Sequence, residues 1–86
     1  MKREDVYKLI DGERAYQLLR HENKNAEFPH RDEDHSVADW IVYMEYHLEN
    51  AKKWVYHLDM EGALCEIRKA TALGVACMEY NETEPR

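Results

Sequence analysis

Apolar residues recur at helical spacing in three stretches of this chain. The clearest lies between Ser36 and Leu58, where Val37, Trp40, Ile41, Met44, Leu48, Ala51, Trp54, Val55 and Leu58 fall on one arc at ~100° per residue. This predicts a long amphipathic helix over residues 37–58. Ser36 and Asp39 mark its start, because the hydroxyl can accept from an early backbone N–H while the acid meets the positive helix end. Both tryptophans lie on the arc, and each can remove ~150 to 250 Å² from water. The arc is therefore expected to be the main core face, with the rest of the chain packed against it.

A first helix is predicted over about residues 4–20, with Val6, Leu9, Ile10, Tyr16 and Leu19 on a shared face. Gly12 costs it ~1 kcal/mol relative to alanine. Glu13, Gln17 and Arg20 project within or beside the same arc, and a buried polar group without a partner loses ~1 to 3 kcal/mol. They stand either at an exposed rim or on the floor of a polar pocket. Residues 21–35 contain Pro29, many charges and no periodicity, which predicts a connecting loop, long for a compact domain. His30 and His35 with Asp32, Glu33 and Asp34 match no established zinc spacing, so a solvated acidic loop is expected there.

Asp59 is placed to cap a third helix over residues 60–80, joined to the second by a short turn and so expected to lie antiparallel to it. From Ala70 to Met78 this helix is apolar on every side, and Gly74 with Ala70 permits close approach. One neighbouring helix cannot cover such a segment, which leads to the expectation of a bundle shared between chains. The tail, residues 82–86, has nothing to bury and is expected to be mobile. The fold class is all-α: a single domain with an antiparallel helical hairpin, assembling as a homo-oligomer, dimer or tetramer.

Composition narrows the function. A single domain of 86 residues buries only roughly 60 to 65% of its unfolded surface, which also favours a partner copy. Twelve Lys and Arg against 18 Asp and Glu give a net charge of −6, which disfavours nucleic acid as a partner because phosphate binding draws on cations. No apolar run reaches ~18 residues and no signal-like segment is visible, so a cytoplasmic protein with no membrane partner is expected. Cys65 and Cys77 would sit twelve residues apart on one helix, too far for the ~4.4 to 6.8 Å a disulfide requires. They are expected to be reduced thiols.

No glycine-rich phosphate loop, CxxC pair or activated nucleophile is present, so no catalytic residue is assigned. Glu45 and Glu49 share a helix face, with Glu66 at the border of the third helix. Three such carboxylates across a hairpin would suit Mg²⁺, which takes oxygen ligands; separately, they are ordinary solubilising charges.

The segments ERAYQ (13–17), HSVADWIVYMEYHLENA and EIRKATALGVACME together resemble phage-encoded members of the all-alpha nucleoside triphosphate pyrophosphohydrolase (MazG-like) superfamily, over most of the chain. The resemblance implies an α-helical dimer or tetramer in which acids of two helices bind Mg²⁺ and nucleotide phosphates. The family's first metal motif has paired glutamates where this chain has Glu45 followed by Tyr46. Its second has an aspartate three residues after the glutamate, where Glu66 is followed by Lys69. A protonated lysine repels Mg²⁺ but can hold phosphate directly.

The leading expectation is therefore a binder, with no cofactor, that sequesters a nucleotide or nucleotide-derived signal, an anti-defence role if the source is a phage. Arg14, Arg68 and Lys69 would meet phosphate, Trp40, Tyr43 and Tyr46 would stack on a base, and Gln17 and His47 would hydrogen-bond. Two alternatives stay open. One is a Mg²⁺-dependent pyrophosphohydrolase using Glu45, Glu49 and Glu66; the other is an acidic helical module that inhibits a host protein.

Overall fold

A computed structural model describes residues 1–24 and 32–86, with the backbone alone for 21–24, and every regular element among them is helical. In order these are α1 (Arg3–Lys24), a short 3-10 turn (Asp32–Asp34), α2 (Val37–Tyr56) and α3 (Met60–Tyr80). The start of α2 follows the sequence. The Asp39 N–H donates to the Ser36 hydroxyl at 3.2 Å while the Ser36 N–H donates to the Asp39 carboxylate at 2.9 Å, a reciprocal capping box. The Ser36 backbone N–H, with its hydroxyl second, holds the Asp39 carboxyl below its ordinary value.

The end of α2 departs from expectation by two residues. The Leu58 N–H donates to the Val55 carbonyl at 2.9 Å and the Asp59 N–H to the Trp54 carbonyl at 2.8 Å, which together close a Schellman turn. That turn needs a left-handed residue, and Leu58 fills it at φ 60° where glycine is usual. Apolar periodicity ran on because no glycine announces the stop. Asp59 then caps α3, its carboxylate accepting from the Gly62 N–H at 2.8 Å. At the other end of the chain, α1 continues to Lys24, four residues into the expected loop. Nothing in residues 21–24 breaks a helix; only the hydrophobic pattern stops there. Residues 25–31, with Pro29 and His30, lie outside the described residues.

α3 is the central element. Trp40 of α2 stacks parallel to Tyr80 with ring centroids 6.4 Å apart, Met44 lies over Gly74, His47 reaches Glu66, and the Trp54 ring covers Gly62 so closely that a Cβ there would stand 2.8 Å from it. α1 packs on a different side of α3, and among the described residues no Cα of α1 comes within 8 Å of one in α2. Ala70, Ala72 and Ala76 are buried as a result. The segment expected to need a second chain is thus largely covered by two helices of its own, with Thr71 and Met78 left exposed.

The core is small: among the described residues, Ile10, Trp40 and five alanines are the buried apolar ones. Val37, Ile41, Leu48 and Val55, expected on the core face, remain about half exposed, and Val6, Leu9, Tyr16 and Leu19 of α1 are exposed as well. The apolar arc of α2 is wider than one neighbour can cover. α3 takes the line through Trp40, Met44, His47, Ala51 and Trp54 and leaves the rest, and even Trp54 keeps 41% of its surface. Cys65 and Cys77 are both free thiols on α3. No helix among the described residues is long and apolar enough to cross a membrane.

Candidate ligand-binding cleft

A polar chain crosses α3 from α1 to α2. The Gln17 side-chain amide donates to the Lys69 carbonyl at 3.2 Å, Lys69 Nζ lies 3.6 Å from Glu66 Oε1, and Glu66 Oε2 lies 2.7 Å from His47 Nδ1. Burial pushes the Glu66 carboxyl up, but the His47 hydrogen bond and the charges of Lys69 and His47 outweigh it and hold the group below its ordinary value. With Glu66 ionised, His47 Nδ1 is the donor. Two buried side-chain atoms, Gln17 Oε1 in this chain and Trp40 Nε1 on α2, have no hydrogen-bond partner among the described residues. Such groups are rare in folded chains and call for an explanation.

Beside this chain runs a second stripe of α2. Tyr43, Tyr46, Asn50, Lys53 and His57 repeat at spacings of three and four, so they share one face. Tyr46 is exposed and meets the His47 ring edge-on at 5.1 Å. Asn50, Lys53, Trp54 and His57 line a hollow of about 440 Å³ that Glu66 closes from α3. Lys53 makes no ion pair among the described residues. Of these, only Glu66, Tyr43 and Tyr46 are among the site residues expected from the sequence. The spacing that links Asn50, Lys53 and His57 to the two tyrosines was present in the sequence, but it is a polar periodicity and the apolar arc masked it.

Of the expected contacts, Gln17, Tyr46, His47 and Lys69 meet here together with Glu66. Tyr43 stands on the same stripe and touches His35 and Trp40 edge-on at 5.3 and 6.1 Å. Three expected contacts have internal roles instead. Trp40 is 2% exposed and stacked on Tyr80. Arg14, 6% exposed, donates to Glu79 at 3.0 Å and to Asp32 at 3.3 Å. Arg68 donates to Glu13 at 2.8 Å, which raises its pKa against the pull of burial, and to Cys65 Sγ at 3.2 Å. Glu13 and Gln17 thus floor the α1/α3 contact, whereas Arg20 is exposed at its rim.

The three carboxylates considered for Mg²⁺ are engaged separately. Glu66 faces His47 and Lys69, Glu49 accepts from the exposed Lys52 at 3.1 Å, and Glu45 projects to solvent. Among the described residues no three His, Cys, Asp or Glu side chains converge as a metal site would require. No protein-family model matches this chain, and comparison with curated proteins and with solved structures gives no match either.

Proposed function

We propose that this protein is a self-associating helical binder, built on an antiparallel α2/α3 hairpin, that holds a nucleotide or nucleotide-derived signal without hydrolysing it. Its role would be sequestration, which would blunt a host defence if the chain is phage-encoded. The observation that carries the reading is the hollow in which Trp54 and Asn50 stand beside Lys53, which makes no ion pair among the described residues, with Tyr46 exposed on the same face of α2. These supply a hydrogen-bond acceptor, flat apolar surface and a cation, the three features that a base with an attached phosphate calls for. Lys69, 3.6 Å from Glu66, is a second cation beside the carboxylate that lines the hollow. The resemblance to the pyrophosphohydrolases supports a nucleotide as the ligand class, and the replacement of acids by Tyr46 and Lys69 supports binding over turnover.

Calorimetry with a panel of linear and cyclic nucleotides, with and without chelator, tests this. Binding is expected to survive removal of Mg²⁺, since ammonium contacts stand in for the ion. Lys69→Glu is expected to weaken it by more than the ~0 to 1 kcal/mol of an exposed ion pair. If no nucleotide binds, or if binding requires Mg²⁺ and tolerates Lys69→Glu, the reading fails. Release of pyrophosphate that disappears in Glu49→Gln would establish the enzyme instead.

A further inference from the structure

The side of the α2/α3 pair opposite the cleft is apolar and uncovered. On α2 it consists of Val37, Ile41, Leu48 and Val55, each 45 to 48% exposed, at spacings of four and seven. On α3 it consists of Met60, Leu64, Ile67, Thr71 and Met78, at spacings of three, four and seven. At ~100° per residue the α2 stripe lies about 75° around its helix from the line that faces α3, and the α3 stripe about 110° around from the line that faces α2, in the same rotational sense. In helices running in opposite directions, equal senses turn both stripes to one side. The polar stripe of α2 and the contact with α1 have the opposite sense and lie on the other side.

We infer that this two-helix face binds a second copy of the same chain, hairpin against hairpin, in a four-helix arrangement. The inference deepens the self-association in the proposal above and does not depend on any ligand. Surface area supports it. A folded chain of this mass is expected to expose about 5,350 Å², whereas this one exposes 7071 Å². The excess, about 1,700 Å², is spread over the whole chain, and the two-helix face would need to supply only about half of it to make one partner's share of an interface of standard size.

Symmetry fits a second copy better than an unrelated partner. His47 and Glu66 stand at one level of the hairpin, so Leu48 and Ile67, next to them, mark the middle of both stripes. A two-fold axis through that level sets Leu48 on Leu48 of the partner and Ile67 on Ile67 of the partner. It also brings Glu45, which makes no ion pair among the described residues, toward the partner's Lys52, and the reverse pair forms by symmetry. Leu64, Ile67 and Thr71 also line a groove of about 650 Å³ between α3 and the first half of α1, so a copy seated on the face covers the mouth of that groove.

Light scattering on the wild-type chain at tens of micromolar is expected to give at least twice the 10.3 kDa chain mass. The double variant Ile41→Glu, Leu64→Glu is expected to run at the single-chain mass with its helical circular dichroism unchanged, because both side chains are exposed within one chain. Tyr7→Glu, equally exposed on α1, is expected to leave association intact. A second measurement needs no variant: in a mixture of methyl-labelled and unlabelled wild-type chains, intermolecular NOEs should appear at Leu48 and Ile67 and not at Leu19, which is exposed on α1 away from that groove. A monomeric wild type, association that survives the double variant in folded form, or NOEs confined to α1 would overturn the inference. Nucleotide binding is read separately by calorimetry, so either proposal can fail without the other.

Discussion

The two sides of the α2/α3 pair are built from the same helices and differ in almost every other respect. One side is a run of half-exposed aliphatic residues whose one side-chain hydrogen bond among the described residues is that of the Thr71 hydroxyl, which donates to the Ile67 carbonyl. The other carries the Gln17–Lys69–Glu66–His47 chain, the tyrosine stripe and the contact with α1. The difference shows how a small core divides its work. Ion pairs and hydrogen bonds fix the position of α1 on the polar side, whereas the apolar side adds little to the single chain and is free to serve association. Substitutions on the polar side should therefore damage the fold, and those on the apolar side should damage assembly alone.

The largest effect is expected at Arg14. It ties α1 both to Glu79 of α3 and to Asp32, and its truncation removes both charge-assisted hydrogen bonds from a partly buried contact. Arg14→Ala is expected to cost about 3 kcal/mol, enough to lower Tm by more than about 10 °C in a chain of this size. A change below about 1 kcal/mol would mean that α1 is held by its apolar residues, and the contrast between the two sides would collapse.

Glu66→Gln comes next, at roughly 1 to 2 kcal/mol near neutral pH, because a hydrogen bond to a charged group is replaced by a neutral one. Its pH dependence sharpens the test. The Glu66 carboxyl is held below its ordinary value of 4.5, so the stability it contributes is complete above that value and is lost as pH falls through its folded pKa. Unfolding followed by urea at a series of pH values should show that acid-side loss in wild type and a shallower one in Glu66→Gln.

Leu58→Gly should raise stability by about 1 kcal/mol, since a left-handed conformation strains any residue with a Cβ. Association and ligand binding should not change, because Leu58 belongs to the turn and to neither side. Gly12→Ala should give a smaller gain, up to about 1 kcal/mol, because a Cβ there meets nothing within 4 Å. Thermal unfolding reads both, and a loss at Gly12 would reveal a contact that the single chain does not contain.

Much of this architecture can be read from the sequence because its signals are local. The Ser36/Asp39 box and the Asp59 cap placed two helix starts to the residue, since each depends on side chains three positions apart. What periodicity could not supply was which part of a wide apolar arc meets its neighbour. Val37, Trp40 and Ile41 look alike on the helical wheel, yet α3 takes only Trp40, because Tyr80 stacks on its ring and Gly74 admits Met44 one turn on. The site was harder still. Arg14 and Arg68 carry the charge that phosphate needs, but their partners Glu79 and Glu13 lie 65 and 55 residues away in the sequence. No local pattern reveals that such a cation is already engaged, and none reveals that Lys53 makes no ion pair among the described residues.

The division of labour between the two sides is tested most directly by two-dimensional NMR of the wild-type protein, titrated with the nucleotide panel in the presence of chelator. The prediction is that at least one nucleotide shifts the Gln17 side-chain amide and the signals of Tyr46, Lys53 and Lys69 in a saturable way, while the methyl signals of Ile41, Leu48, Leu64 and Ile67 stay in place. Shifts confined to those methyl groups, with the cleft unmoved, would contradict it.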